Sequence, residues 1–284
     1  MSTVQLGFKA FDCHELLCHA VAQEAGLYAE QGLSVRLLDT TFTPDEALPA
    51  DIFHAACGAA LADFLQGRER RVVFVACERP MFWLFARPGI DTLSALNGAR
   101  VASFPEVAPP AAFLRKLLSD ESVAPDLLPA RDDVARLGLL RSGSVEAALF
   151  SAQYLPHQLE AIGLQELLFI GDRLRLPSTG LAVSGELFER EPERVAAMVA
   201  IFRQAMQLIF ADDQLLARVL TESFAMPAQS LQQALTTVRN CLNRSGFSDA
   251  ALLQAALDRA ARGMGLKSRP AGELYRFDFV QGGD

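Results

Sequence analysis

Hydrophobic positions along this chain switch repeatedly between a period near two and a period near 3.6, the signatures of strands and helices. Residues 4–8 alternate as a strand, and residues 15–29 carry Leu16, Leu17, His19, Ala20 and Leu27 at helical spacing. Residues 35–38 and 51–56 read as the second and third strands. Residues 59–66 read as a helix that Gly67 ends, since glycine accepts the left-handed backbone of a helix C-terminus. The run from Arg71 to Cys77 is almost continuously apolar, as expected of a strand covered on both faces. Strands separated by helices predict parallel pairing, because parallel neighbours need a crossover connection.

Residues 82–87 predict a strand leading out of this first unit, and Pro88-Gly89 punctuates it. A second series follows, with strands at 99–104, 147–150 and 166–170 and helices at 111–118, 134–141 and 153–162. Residues 181–184 predict a strand that returns to the first unit, and residues 193–262 are almost wholly helical in pattern. There Met198, Ile201, Phe202, Ala205, Met206 and Ile209 fall on one stripe, which predicts core packing. At 284 residues the chain reaches the size at which single cores stop growing and chains divide. The predicted division is a discontinuous first lobe, residues 1–87 with 181–284, and a second lobe, residues 88–180.

Hydrophobic residues make up 51% of the chain and charged residues 21%, enough apolar surface for sizeable cores. A formal net charge of −8 argues against nucleic acid or an anionic membrane as partner, because both require a concentrated basic face. The densest basic run, residues 68–71, is broken by Glu69 and reads as a solvated loop. No apolar stretch approaches the roughly 18 residues needed to cross a bilayer, so no membrane-embedded segment is expected. The first residues lack a basic region followed by an apolar one, which predicts a cytoplasmic protein if Met1 is the native start and a periplasmic one if a leader was removed. Cys13, Cys18, Cys57, Cys77 and Cys241 are odd in number and lie mostly in apolar runs, a pattern of reduced thiols rather than of a disulfide framework.

Three stretches carry a resemblance. Residues 24–35, EAGLYAEQGLSV, resemble the ExGxFxxxGLxV signature of the type II periplasmic-binding-protein superfamily, in the branch that serves nitrate, sulfonates, taurine and thiamine-pyrimidine precursors. Residues 90–101, IDTLSALNGARV, are similar to the lead into that branch's second lobe, although Ala95 and Asn97 replace its common acidic and basic residues. Residues 142–149, SGSVEAAL, resemble its GxVDA element before a sheet strand. The resemblance implies a two-lobed α/β fold with parallel-type sheets and a helical C-terminal segment.

In that superfamily the ligand lies between the lobes, at carboxyl ends of strands and amino ends of helices, where free N–H groups suit small anions. The resemblance therefore implies ligand contacts from Phe11, Asp12, Cys13 and His14 after the first strand, from His54, Cys57 and Gly58 after the third, and from Glu78 and Arg79 after the fourth. Phe104, Glu106, Ser151 and Tyr154 are the implied contacts from the second lobe, with Asp172 and Arg173 at the rim. Phe11, Phe42, Phe82, Trp83, Phe104 and Tyr154 are candidates to stack a flat ring, although core packing is the commoner fate of such residues.

Cys13, His14, Cys18, His19, His54 and Cys57 fall in two of the stretches that this fold brings to one cleft. A thiol at a helix amino end has a lowered pKa, and a nearby imidazole helps to generate the thiolate. Cys13 with His14 or His54 is thus a candidate nucleophile and base, against the alternative that these cysteines are small buried hydrophobes. Cys13, His14, His54 and Cys57 also form a nitrogen and sulfur set, but their spacing matches no standard zinc finger, and neither metal nor cofactor is expected. Two enzyme families share the scaffold. The pyrimidine synthases of thiamine biosynthesis carry a dense cysteine motif that is absent from this chain. The aromatic sulfinate desulfinases carry a nucleophilic cysteine after the first strand, a place that Cys13 matches, but their Arg-x-Gly-Gly element is replaced by residues 54–58, HAACG.

The expected function is that of a solute-binding protein which captures a small anionic or heteroaromatic molecule, sulfonate-like or pyrimidine-like, and closes by hinge motion near Arg87 and Ser178-Thr179. Its expected partners are that ligand and, for uptake, an ABC permease. The alternative is a cytoplasmic enzyme on the same scaffold, with a cysteine nucleophile and a desulfinase-like or thiamine-pyrimidine-related activity.

Overall fold

The computed structural model describes residues 2–41, 43, 47–106 and 108–281; Phe42, one of the aromatic candidates, lies outside them. Two five-stranded sheets organise the described residues. The first contains β1 (Ser2–Phe8), β2 (Leu33–Asp39), β3 (Phe53–His54), β4 (Arg70–Cys77) and, from far along the chain, β10 (Thr179–Ser184). The second contains β5 (Trp83–Ala86), β6 (Arg100–Ser103), β7 (Asp126–Pro129), β8 (Ala147–Phe150) and β9 (Gln165–Phe169). Strand order is β2-β1-β3-β10-β4 in one and β7-β6-β8-β5-β9 in the other. The molecule is a two-lobed α/β protein, as expected.

The sheets are mixed rather than parallel throughout. β1 runs parallel to β2 and β3, with Val4 opposite Val35 and Gly7 opposite His54, whereas β10 is antiparallel to β3 and β4. In the second sheet β6 is parallel to β7 and β8, and β5 is antiparallel to β8 and β9. The reversed strands, β5 and β10, are those by which the chain enters a sheet from the other one. Neither arrives by a crossover helix, so nothing obliges them to run parallel. Trp83 already pairs with Phe150 and Phe169 in the second sheet, so the first crossing is complete ahead of residue 87.

Local sequence explains the helix limits. Asp12 caps the helix Cys13–Glu24 by accepting from the Glu15 N–H at 3.1 Å, two residues before the expected start. Gly26, at φ 75°, then separates that helix from the short helix Leu27–Glu30. Pro156 opens a helix of only five residues, Pro156–Glu160, where residues 153–162 were expected to be helical. β7 is absent from the sequence reading because three of its four residues are exposed at the sheet edge, leaving no apolar alternation to detect.

One apolar cluster runs without a break from Leu6, Phe8 and Cys13 of the first lobe to Phe85, Phe150, Ala152 and Leu155 of the second. The helix Pro192–Ala211 supplies Met198, Ile201, Phe202 and Ile209 to it. That helix, at a mean hydropathy of 1.3, is long and apolar enough to cross a membrane, which the sequence reading had not anticipated; its apolar stripe is committed to the core. Each fully buried side chain of this kind stabilises the fold by about 1.5–3 kcal/mol relative to exposure.

Candidate ligand-binding site

The carboxyl end of β1 and the turn after β8 meet between the sheets. Cys13 donates its Sγ–H to the Ala152 carbonyl at 3.7 Å, and the Asp12 carboxylate lies within electrostatic reach of Asp133. Asp133 opens the helix Asp133–Arg141, whose cap is Asp132, accepting from the Ala135 N–H at 2.8 Å. With the cap supplied by its neighbour, the Asp133 carboxylate turns inward. It accepts from Ser151 N–H at 3.2 and 3.3 Å and from Ser151 Oγ–H at 2.5 Å, and it pairs with Arg136.

Arg136 is a fully buried cation. Its side chain is 1% exposed, its Nη1 donates to the Ala130 carbonyl at 3.0 Å, and its guanidinium lies 3.7 Å from the centroid of the Phe104 ring. Phe104 meets Phe82 edge to face at 5.6 Å, and Phe82 meets the His14 ring in the same way at 5.5 Å. A continuous line of rings thus links a cation of the second lobe to the first helix of the first.

His14 Nε2 lies 2.9 Å from Ser178 Oγ. The Ser178 hydroxyl donates to the Cys77 carbonyl at 3.1 Å, which leaves its oxygen to accept from His14 Nε2–H. Gly58 N–H donates to the Ser178 carbonyl at 3.1 Å, Gly180 N–H to the Ala55 carbonyl at 2.8 Å, and Thr179 Oγ1 to the His14 carbonyl at 2.9 Å. The segments 11–14 and 54–58 therefore converge on the strand 178–180 rather than on each other.

Burial dominates the electrostatics here. Desolvation raises the Asp12 carboxyl to about 6, against the opposing pull of the Glu15 N–H. The same cause raises Glu15 to about 8, although Lys9 and Ala10 N–H groups donate to its oxygens at 2.6 and 3.0 Å. His14 falls to about 3 and is a neutral imidazole at physiological pH. The Cys13 thiol is pushed well above its ordinary value by burial and by the Asp12 charge. Being 1% exposed, it gains less from the helix amino end than it loses with water.

The remaining sequence candidates lie elsewhere. His54 is not brought to Cys13: it packs beside Gly7 and Thr40 and, with Ala60, Asp63 and Arg70, lines a small cavity beneath the helix Cys57–Leu65. Cys57 is fully buried, with Sγ–H directed to the Phe74 carbonyl at 3.7 Å. Glu78 accepts from Asn243 Nδ2 at 2.8 Å and from Ser248. Arg79 joins the Asn240 carbonyl at 2.8 Å to Asp172 and the Gly171 carbonyl, so it ties the two crossings together. Glu106 borders a groove of about 500 Å³ on the outside of the second lobe with Arg115, Leu118 and Val123. Phe11 is 59% exposed against Phe8 and Phe224, and Tyr154 meets Phe150 edge to face at 6.1 Å. Among the described residues, no group of three or more potential ligands could hold a metal ion. Asp133 and Arg136 escaped the sequence reading. Their available signal was the doubled Asp132-Asp133 at a helix start, where one carboxylate suffices for capping.

No family model and no curated protein sequence matches this chain. Solved structures do, and they define a class by fold, the two-lobed proteins of the periplasmic-binding-protein type. Within it, the chain superposes on the alkanesulfonate-binding protein SsuA of Xanthomonas axonopodis pv. citri, bound to MOPS, with a TM-score of 0.77 at 15% identity over 97% of this chain and 99% of that one. The periplasmic aliphatic sulphonate binding protein SsuA of Escherichia coli gives 0.73 at 13% identity, over 95% and 96% of the chains. The desulfurization enzyme DSZB gives 0.74 at 14% identity, over 99% and 98%. This chain therefore has the SsuA-like fold, which an enzyme also uses.

Proposed function

We propose that this chain is a solute-binding protein that captures a small organic molecule between its two sheets. The observation that carries the reading is the convergence of Asp12 to His14, after β1, with Asp133 and Arg136, on the helix between β7 and β8, and Ser151, after β8, at the place where open α/β sheets hold ligands. The sulfonate-binding names of two similar structures favour a sulfonate-like guest, and the line Phe104, Phe82 and His14 favours one with a flat ring. Arg136 and the amino end of the helix Cys13–Glu24 would hold its polar part, with Phe104 and Tyr154 beside the ring. We place the lobe boundary at the connections 78–82 and 170–178, with Arg79 and Ser178 at the hinge. A periplasmic location and an ABC transporter as partner would follow if the chain works as a similar structure is named, the periplasmic sulfonate-binding protein SsuA of a sulfonate ABC transporter from Methylobacillus flagellatus KT.

The test is a panel of alkanesulfonates, aminopyrimidines and small carboxylates in thermal-shift and calorimetric titrations. A true ligand at a hundredfold excess over its Kd stabilises by about 2.7 kcal/mol, a shift of several degrees. Absence of any hit, together with a native mass spectrum showing no retained molecule, would overturn the reading.

The likeness to DSZB and the place of Cys13 after β1 favour a second reading, a cysteine enzyme. It requires a movement that exposes the thiol, since desolvation holds the buried Cys13 protonated. Turnover of an aromatic sulfinate that is lost in Cys13→Ser would establish it.

A further inference from the structure

We propose that residues 240–248 are a strap that restrains movement of the two lobes about their connections, and that it thereby regulates the binding site proposed above, on whose reading this role rests. The segment begins at the end of the helix Leu231–Cys241 and runs beside β4, the last strand in the order of the first sheet, where the chain leaves for the second. Val75 N–H donates to the Gly246 carbonyl at 2.8 Å, and Asn243 N–H to the Ala76 carbonyl at 2.7 Å. Cys77 and Leu242 form an antiparallel bridge, and Cys77 Sγ–H is directed to the Cys241 carbonyl at 3.2 Å. Glu78 accepts from Asn243 Nδ2 at 2.8 Å and from Ser248 Oγ, and Arg79 Nη1 donates to the Asn240 carbonyl at 2.8 Å. Every residue from Val75 to Arg79 is thus bonded to the strap.

The same residues hold the second connection. Leu176 N–H donates to the Glu78 carbonyl at 3.0 Å, Ser178 N–H to the Cys77 carbonyl at 2.9 Å, and Arg79 Nη2 reaches Asp172. Ser178 in turn receives His14 Nε2–H and Gly58 N–H. A series of hydrogen bonds therefore runs from the strap through both connections to the segments of the candidate site. Lobe movement turns the backbone of both connections. Hydrogen bonds weaken steeply with angle, so the bonds to residues 75–79 oppose that turn.

The strap is itself braced. Asn243 Nδ2 also donates to the Phe247 carbonyl at 2.8 Å, and Asn243 Oδ1 accepts from Ser245 N–H at 3.0 Å. Gly246, at φ 78°, lies flat against the core ring of Phe74, where a Cβ would come within 2.4 Å of Cε2. A displacement of residues 75–79 therefore cannot be absorbed by slack in the segment that holds them.

The experiment is alkylation of the ligand-free full chain by N-ethylmaleimide, followed at Cys13 and Cys18 by peptide mass spectrometry, with far-UV circular dichroism on each protein. Cys13 is 1% exposed and touches Ala152 of the other lobe, so its labelling rate reports lobe movement. Cys18, on the same helix and buried in the core, reports unfolding. Loss of one hydrogen bond's net contribution changes a conformational equilibrium about fivefold. Asn243→Ala and Arg79→Met should each speed Cys13 labelling by at least that factor, with Cys18 labelling and helicity unchanged. Arg218→Met, which removes the 2.7 Å pair with Glu24 away from the connections, should label as the wild type does. An unchanged Cys13 rate in the strap variants overturns the proposal, as does an equal rise at Cys18 or an equal rise in Arg218→Met. Should either strap variant fail to fold, Ser248→Ala, which removes one hydroxyl from Glu78, decides by the same outcomes. No ligand is needed, so a failed ligand panel and a failed strap are separate results.

Discussion

His14 of the first helix and Ser178 of the returning strand are joined at 2.9 Å between imidazole Nε2 and hydroxyl, where the chain re-enters the first sheet. The bond fixes the tautomer of a buried neutral ring and aligns the strand whose carbonyl receives Gly58. Its consequences are measurable.

Because burial lowers His14 to about 3, the unfolded chain binds a proton at this residue that the folded chain refuses. The stability it contributes is full above the ordinary value of 6.5 and is lost as pH falls toward 3. Between pH 7 and pH 5 the loss from this residue is about 2 kcal/mol. Asp12 and Glu15 act in the opposite sense, so the informative quantity is the difference between wild type and His14→Gln. Urea titrations at several pH values should show a flatter acid limb in the variant.

Gly180 lies within β10 at φ 155°, and a Cβ there would come within 2.0 Å of the Phe74 carbonyl oxygen. Backbone cannot yield as a flexible side chain does. Gly180→Ala should destabilise by more than about 3 kcal/mol or prevent folding, read as soluble yield and denaturation midpoint.

Arg136→Met leaves Asp133 without its cation in a water-free setting and should cost about 3–5 kcal/mol. The double variant Arg136→Met with Asp133→Leu should cost less than Arg136→Met alone, since it removes the stranded charge together with its partner. Chemical denaturation of the three proteins measures the coupling.

All five cysteines are buried, and desolvation raises Cys18 and Cys241 to about 12 and holds Cys13 well above its ordinary value. In native protein they should react with a disulfide reagent at least about a hundredfold more slowly than a free thiol, and all five should react in denaturant. Rapid reaction of Cys13 alone would show that the lobes open readily at that point.

Much of the fold was legible because it rests on local pattern. The apolar run 71–77 and the stripe from Met198 to Ile209 announced a covered strand and a core helix, and the structure has both. Edge strand β7 was not legible, because an exposed strand carries no hydrophobic period. Parts of the candidate site were readable from position after a strand, as with Asp12, Cys13 and Ser151. Arg136 was not, since on the sequence it is one arginine among many on a helix face.

The sequence by itself determined the elements, their order and the departure and return of the chain, because these follow from side-chain periodicity, glycine conformations and capping residues acting over a few positions. The tertiary structure alone decided which carboxylates come within electrostatic reach of one another, which thiols lose their water and which strands reverse. Those outcomes depend on distance and desolvation between segments more than a hundred residues apart, as with Asp12 and Asp133 or His14 and Ser178.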